Sequence, residues 1–204
     1  MSKEDGEIRV AGSGGKFVAK MLNAAIRVGK IVRTKTRIGK GSVSISSAAV
    51  ELMLAKSLPE LKKYSSNLRI CVIGAGRMVR LLLLALFSKQ PDIRVVVVNR
   101  SVEKARELLE EVSARGGSRA EVVDSESLEQ TLKSSDVVIT ATSSKDPIIS
   151  KADLVDLPGK LMLVDISVPR NIAADCAEVP GVVSYSVDDL KKVQEQNNMK
   201  RQKE

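Results

Sequence analysis

The chain has 204 residues, of which 43% are hydrophobic and 28% are charged, and its formal net charge is +8. The length suits one globular core with an appendage, and the absence of histidine argues against zinc sites and histidine-based catalytic triads. No apolar run could span a bilayer, and the N-terminus lacks the apolar core of a secretory signal. The two cysteines have no metal or redox spacing, so we expect no metal site and a reducing compartment.

The first 67 residues are predicted to form helices and their connections. Residues 1–15 are polar and rich in glycine, so we expect a flexible N-terminus. Apolar residues recur at helical spacing over 17–31, and after a loop at 39–44 a second helix is predicted over 46–56. Residues 16–67 are therefore interpreted as a helical linker segment.

A basic stripe runs along the first predicted helix and beyond it. Eight lysines and arginines lie between Lys16 and Lys40, and no acidic residue interrupts them. Such a stripe attracts phosphate backbones, although a solvated helix face explains it more simply. The aromatic content of 2% argues against binding of single strands by base stacking, and we expect no DNA partner.

From residue 68 the pattern alternates between strands and helices. The predicted strands are Arg69–Ile73, Arg94–Val98, Ala120–Val123, Val137–Thr140, Leu161–Asp165 and 182–185, and the predicted helices are 77–88, 102–115, 125–133, 151–156 and 187–197. The apolar run at 95–98 indicates a strand buried on both faces of a parallel sheet. The predicted fold is α/β, a Rossmann-like doubly wound parallel sheet over 68–190 with a helical N-terminal extension. Residues 191–204 are predicted to begin a C-terminal helix.

Two finer features accompany this pattern. Asp124 and Ser150 stand where helix N-caps belong, and Ser150 with Asp153 resembles a capping box. The segment from Leu81 to Phe87 is apolar nearly all round, so we expect another domain or subunit to cover its outer side.

A glycine turn follows the first predicted strand. In a Rossmann unit the first glycine makes the turn, the second admits a pyrophosphate, and the third allows close packing. Gly74 and Gly76 meet the first two requirements, whereas Val79 stands in the third place. The candidate contacts to a dinucleotide are Gly74, Ala75, Gly76, Arg77, Met78 and Val79, with added charge from Arg77 and Arg80. A purely structural turn explains the motif about as well.

The second strand ends in Asn99, Arg100 and Ser101, without the acid that an NAD-preferring domain usually has there. Arg100 is suited to a ribose 2′-phosphate, and Asn99 and Ser101 are suited to donate hydrogen bonds to it, which predicts NADPH as the cofactor. In the alternative, Ser101 caps the next helix and Arg100 is only solvated. The two interpretations are compatible, and we favour the cofactor site.

Two more strands end at the same edge of the predicted sheet, where open α/β sheets bind their ligands. Thr142 and Ser143 follow the fourth strand and are small enough to leave room for a cofactor. Asp165 and Arg170 lie at the end of the fifth strand, where either is suited to contact substrate or nicotinamide. Asp165 is equally suited to cap a neighbouring loop.

Several segments together closely resemble glutamyl-tRNA reductase, which opens tetrapyrrole synthesis. They are VGKIVRTKTRIGKGSVSISSAAVEL (28–52), VIGAGRM (72–78), VVVVNRS (95–101), SDVVITATSS (135–144), VDISVPRNI (164–172) and YSVDDL (185–190). The resemblance implies NADPH-dependent reduction of glutamyl-tRNA to glutamate-1-semialdehyde, as in the porphyrin and chlorophyll pathway. It also implies a homodimer of the full-length protein, and a location in the chloroplast stroma of a plant or alga or otherwise in the cytoplasm.

The resemblance also has limits. In that family a cysteine of an N-terminal catalytic domain forms a thioester, and a C-terminal domain forms the dimer; neither is expected in this chain. Cys71 lies inside the first predicted strand and Cys176 has no base near it, so no catalytic residue is assigned. Lys35, Arg77 and Val79 also depart from the family pattern.

Ser42, Ser44, Ser46 and Ser47 belong to the family's junction between catalytic and cofactor domains. They are placed either to touch substrate or to serve as small interface residues. The sequence is thus interpreted as the NADPH-binding portion of a glutamyl-tRNA reductase. The alternatives are a non-catalytic nucleotide-sensing or partner-binding module, and a shikimate dehydrogenase-like NADP oxidoreductase.

Overall fold

A computed structural model of the chain describes residues 15–35, 44–114, 116–117 and 119–190. The chain divides into two compact units, residues 1–42 and 43–204. The first unit contains helix α1 (Gly15–Lys35), on which Phe17, Met21 and Val28 are exposed. The predictions for residues 1–14 and 36–43 lie outside the described residues. Within those residues, no helix has the length and apolar character needed to cross a membrane.

The second unit is built on a sheet of six parallel strands. In chain order they are β1 (Arg69–Ile73), β2 (Arg94–Val98), β3 (Ala120–Val123), β4 (Val137–Thr140), β5 (Leu161–Asp165) and β6 (Val182–Ser186). Their order in space is β3-β2-β1-β4-β5-β6, which is the doubly wound Rossmann arrangement. The predicted fold class is confirmed, and the first five strands have the predicted bounds. The switch in strand order lies between β1 and β4, where such sheets open a crevice for ligands.

The described part of the unit also contains α2 (Ile45–Lys56), α3 (Arg77–Lys89), α4 (Val102–Ser113) and α5 (Leu128–Ser134). A π-helical turn (Ser57–Leu61) extends α2, and short 3-10 turns lie at Ser65–Asn67, Ser125–Ser127, Lys151–Leu154 and Ala174–Glu178. Residues 187–190 are helical, and the rest of the helix predicted over 187–197 lies outside the described residues.

Two predicted helices are shorter than expected. The helix predicted over 125–133 divides into a 3-10 turn and α5, because the Asp124 carboxylate accepts hydrogen bonds from the backbone N–H groups of Glu126 and Ser127 and tightens the first turn. The helix predicted over 151–156 is only a 3-10 turn, since Asp156 has a φ of 58° and Pro158 follows it. Both predicted N-caps are present, and Ser150 forms the predicted capping box with Asp153.

Alternate residues of the strands face two hydrophobic layers. On β1, Ile70 and Val72 face the layer built with α2, α3 and α4, whereas Cys71 and Ile73 face the layer built with α5 and the short turns. The first layer is the larger of the two. The sheet is therefore covered on both faces, as an all-parallel sheet requires.

Helix α2 covers the apolar helix α3, for which the sequence suggested another domain or subunit. Ala48 and Ala49 of α2 are wholly buried and let the two helices approach closely. At the start of the contact, the buried Ser46 hydroxyl donates a hydrogen bond of 3.0 Å to the carbonyl oxygen of Met78 in the first turn of α3. The covering element is thus part of the same chain.

A buried carboxylate lies at the amino edge of the sheet, just before β4. Asp136 is 3% exposed, and it accepts a hydrogen bond of 2.6 Å from the Lys63 ammonium and one of 2.9 Å from the Arg69 backbone N–H. These bonds fix the connection between α2 and β1 to the neighbouring strand. They lie at the opposite end of the sheet from the ligand crevice.

We predict that Gly117→Ala destabilises the fold by about 1–3 kcal/mol through overpacking and backbone strain. Gly117 has a φ of 93°, and a Cβ there would lie 2.7 Å from the Cε2 atom of the buried Phe87 ring. Urea unfolding measures the change in the free energy of unfolding. Gly159→Ala is the matched control, because a Cβ at Gly159 meets nothing within 4 Å. Equal stability of the two variants would contradict the prediction.

Candidate functional site

The turn between β1 and α3 depends on Gly74. Its φ is 118°, its backbone N–H donates a hydrogen bond of 2.9 Å to the Val98 carbonyl oxygen, and a Cβ there would lie 2.7 Å from the Ala141 carbonyl oxygen. The turn therefore passes closely between the ends of β2 and β4. Any side chain at Gly74 would force the three strand ends apart.

Open space lies in front of the amino end of α3. Gly76 is the N-cap residue, no side chain caps this helix, and a Cβ at Gly76 would meet nothing within 4 Å. The backbone N–H groups of the first helical turn thus have room for a ligand that accepts hydrogen bonds. Helix amino ends of this kind favour phosphate, through their free N–H groups and partial positive charge.

Val79 does not fill this space. Its side chain is wholly buried in the hydrophobic layer between the sheet, α2 and α3, whereas Gly76 is exposed. The departure from the three-glycine motif therefore changes the core beneath the turn and leaves the open side of the turn unchanged. Ala75 and Met78 pack partly against the same layer.

The two arginines at the start of α3 differ in their surroundings. Arg77 is exposed, and its side chain forms no hydrogen bond or ion pair with the described part of the chain. Arg80 instead donates a hydrogen bond of 2.7 Å from Nε to Glu111 of α4, and this bond lowers the pKa of Glu111. The Arg80 guanidinium is therefore engaged by a carboxylate, and its contribution of charge for a phosphate stays a prediction.

Two of the three residues after β2 organise the backbone. The Asn99 side-chain amide donates a hydrogen bond of 2.8 Å to the Ser101 carbonyl oxygen, and the Ser101 hydroxyl accepts one of 3.3 Å from the Lys104 backbone N–H. Ser101 is therefore the N-cap of α4, as the structural alternative proposed. Arg100 is exposed and has no partner among the described residues, so its guanidinium remains available for an anion.

The residues after β4 join a network that sequence reasoning missed. The Thr142 hydroxyl donates a hydrogen bond of 2.6 Å to Oδ1 of Asn171 and accepts one of 3.0 Å from the Ser144 backbone N–H. Asn171 is wholly buried although it follows the exposed Pro169 and Arg170. Ser143 is exposed at the edge of the sheet.

Asp165 is a structural centre at the end of β5. It is 3% exposed, and its two oxygens accept hydrogen bonds from Thr140 and from the loop that follows the strand. The capping alternative is therefore the one that the structure shows. Arg170 is exposed, and its Nη2 atom lies 3.8 Å from Oδ2 of Asp188, which is also exposed.

Neither cysteine is available as a nucleophile at this edge. Both side chains are wholly buried, and burial raises the pKa of Cys71 to about 12 and that of Cys176 to about 11, with a further contribution from the Asp175 charge at Cys176. Such thiols stay protonated at neutral pH, and the thiolate is the reactive form. The interpretation of Cys71 as a core thiol agrees with this geometry.

The junction serines serve structural roles where the structure describes them. Ser46 lies buried between α2 and α3, and the Ser44 hydroxyl caps α2 by accepting a hydrogen bond of 3.1 Å from the Ser47 backbone N–H. Ser42 lies outside the described residues. The interface interpretation therefore fits Ser44, Ser46 and Ser47 better than contact with substrate.

Comparison with known proteins identifies a family of domains and a set of similar proteins. The family model described as "Shikimate / quinate 5-dehydrogenase" matches residues 53–193. A curated glutamyl-tRNA reductase of Synechococcus elongatus is 41% identical over 195 residues, which cover 93% of this chain and 44% of that protein. The chain thus spans less than half of the length of this relative.

Two solved structures share the fold. Glutamyl-tRNA reductase from Methanopyrus kandleri aligns with a TM-score of 0.65 and 31% identity, over 92% of this chain and 45% of that one. The nucleotide-binding domain of glutamyl-tRNA reductase from Thermoplasma volcanium aligns with a TM-score of 0.57 and 24% identity, over 80% of this chain and 100% of that one. The chain therefore belongs to the shikimate / quinate 5-dehydrogenase family of domains, and its resemblance to the nucleotide-binding part of glutamyl-tRNA reductase is confirmed.

Proposed function

We propose that this chain is the NADPH-binding portion of a glutamyl-tRNA reductase. The observation that carries the proposal is the open space before α3, with Arg77 at its margin. At the end of the adjacent strand, Arg100 has no partner in the part of the chain that the structure describes. These groups suit a pyrophosphate and a ribose 2′-phosphate. None of the three residues directly after β2, Asn99, Arg100 and Ser101, is the carboxylate that would favour an unphosphorylated ribose.

The site divides among three strand ends. The turn from Gly74 to Val79 would hold the pyrophosphate through its backbone N–H groups, with Arg77 beside it. The segment from Asn99 to Ser101 would hold the adenosine ribose and its phosphate, and Thr142 and Ser143 would border the nicotinamide half. When bound, NADPH supplies a hydride; the residues of this chain bind and orient the cofactor.

The substrate and partners follow from the family. Glutamyl-tRNA would be reduced to glutamate-1-semialdehyde in tetrapyrrole synthesis, and the full-length protein would form a homodimer. The similarity to the cyanobacterial relative supports a plastid stroma or a bacterial cytoplasm as the location. The basic α1 is a candidate tRNA contact, because cations without intervening acids attract phosphate backbones.

A second function is favoured by the state of the two thiols. Since Cys71 and Cys176 are both buried, the chain has no exposed cysteine to form a thioester with the substrate. A non-catalytic nucleotide-binding module would need none. In the enzyme, the thiol would have to come from another part of the protein.

Arg100→Gln should weaken NADPH binding by about tenfold and leave NADH binding nearly unchanged, because it removes one charge-assisted contact to the 2′-phosphate. Titration of the full chain with each nucleotide, followed by nicotinamide fluorescence, measures both affinities. Arg94→Gln is the matched control, since Arg94 is an exposed arginine at the opposite end of the same strand. Equal NADPH affinity in the two variants would rule out Arg100 as the 2′-phosphate contact.

Gly76→Ala should reduce NADPH affinity by about tenfold or more while the protein remains folded. The alanine methyl group would project into the open space where the pyrophosphate is proposed to bind. The φ of −95° at Gly76 is ordinary for alanine, so only a small loss of stability from the poorer N-cap is expected. Thermal unfolding and nucleotide titration separate the two effects. Gly159→Ala again serves as the control, and unchanged NADPH affinity in Gly76→Ala would contradict the placement of the pyrophosphate.

The two thiols should resist alkylation in the native chain at pH 8, because burial protects them and both pKa values lie well above this pH. Iodoacetamide labelling followed by mass spectrometry should show little reaction in buffer and complete reaction in urea. Rapid labelling of Cys176 in the native chain would overturn this and make it a candidate nucleophile, and the loss of that label in Cys176→Ser would confirm the assignment.

A further inference from the structure

The carboxylate of Asp165 has no role in the cofactor site as proposed so far. It is buried at the end of β5, and within the described residues it forms no ion pair. Burial of a carboxylate carries a large desolvation cost unless hydrogen bonds offset it. Here one oxygen accepts from the Thr140 hydroxyl at 2.8 Å and the Ser167 backbone N–H at 2.9 Å.

The second oxygen fixes the far end of the same loop. It accepts hydrogen bonds from the backbone N–H groups of Asn171 at 2.7 Å and Ile172 at 3.0 Å. Asp165 therefore holds both ends of the segment 166–172 against β4. This loop, called here the β5 loop, cannot change shape without breaking hydrogen bonds to a buried charge.

Further bonds tie the β5 loop to the residues after β4. The Thr142 backbone N–H donates to the Ser167 hydroxyl at 3.2 Å, and the Thr142 hydroxyl donates to Asn171 at 2.6 Å. The Asn171 side-chain amide donates to the Ser144 carbonyl oxygen at 3.3 Å. The two loops therefore form one cross-linked surface.

This surface presents an apolar group at the ligand edge of the sheet. Val168, at the outermost part of the β5 loop, is 82% exposed, and Ser143 beside β4 is also exposed. Both lie in the half of the sheet, β4 to β6, that receives the second mononucleotide of a dinucleotide in this fold. An exposed valine on a rigid loop offers a flat ring a fixed apolar contact.

We propose that Asp165 is a positioning residue, which holds the β5 loop so that Val168 and the residues after β4 support the nicotinamide ring. This inference rests on the proposed function and adds that different groups bind the phosphates and position the nicotinamide ring. The N–H groups at the amino end of α3 and the charges of Arg77 and Arg100 retain the phosphates. Asp165 sets the position of the reactive ring through the β5 loop without itself touching the cofactor.

Asparagine cannot replace this aspartate, although its shape is nearly the same. All four partners of Asp165 donate hydrogen bonds, and an amide NH₂ group would turn a donor toward two of them. Asp165→Asn should therefore release one end of the β5 loop. The phosphate contacts at β1 and β2 should be unaffected, because none of their groups belongs to the network.

The test compares two ligands in the full chain. NADPH reports the nicotinamide ring through its fluorescence enhancement and blue shift on binding, whereas 2′,5′-ADP contains only the adenosine half. Asp165→Asn should lose the nicotinamide signature and bind NADPH about tenfold more weakly, with unchanged affinity for 2′,5′-ADP. Asp136→Asn is the matched control, since it also neutralises a buried carboxylate but at the opposite edge. It should keep the signature even if its melting temperature falls equally.

Asn171→Ala provides an independent variant that removes the two side-chain hydrogen bonds of Asn171 between the loops and keeps Asp165. It should show the same selective loss of the nicotinamide signature, and it decides the matter if Asp165→Asn does not fold. A normal signature in a folded Asp165→Asn protein, or in Asn171→Ala when the former is unfolded, would overturn the inference and leave the proposed function intact. Failure of the unchanged chain to bind either ligand would overturn the proposed function, and this inference with it.

Discussion

The close approach at Gly74 is the constraint on which the rest of the structure depends. The turn after β1 is bonded to the end of β2 and lies so near the end of β4 that no side chain fits between them. Because three strand ends meet there, the position of this turn fixes where α3 begins. The open space before Gly76, the buried position of Val79 and the contact of α3 with α2 all follow from that start.

The two halves of the ligand edge use their polar groups in opposite ways. Around β1 and β2, the N–H groups at the start of α3 face open space, and Arg77 and Arg100 have no partner in the described ranges. Around β4 and β5, by contrast, the polar groups bond to one another: the Thr142 hydroxyl donates to Asn171, and the Asn171 backbone N–H donates to Asp165. Charge is thus left available where the phosphates are proposed to bind, and the loops are fixed by hydrogen bonds where the nicotinamide is proposed to lie.

The strands could be predicted closely because buried parallel strands are short, continuous apolar runs, such as 95–98. The Asp124 cap was also predictable, but not the tight 3-10 turn that its carboxylate imposes on the following residues. Hydrogen bonds between side chains that are far apart in the sequence could not be predicted from it. Glu111 lies 31 residues from Arg80, so the hydrogen bond between them could not be predicted from the sequence. The role of Asp165 depended likewise on the folded path of its loop.

The contact between α2 and α3 places the start of α2 beside the proposed cofactor turn. Ser46, in the first turn of α2, is hydrogen-bonded to Met78 in the first turn of α3, and Ser44 caps α2 just before it. The chain therefore enters this unit beside the turn that begins at Gly74.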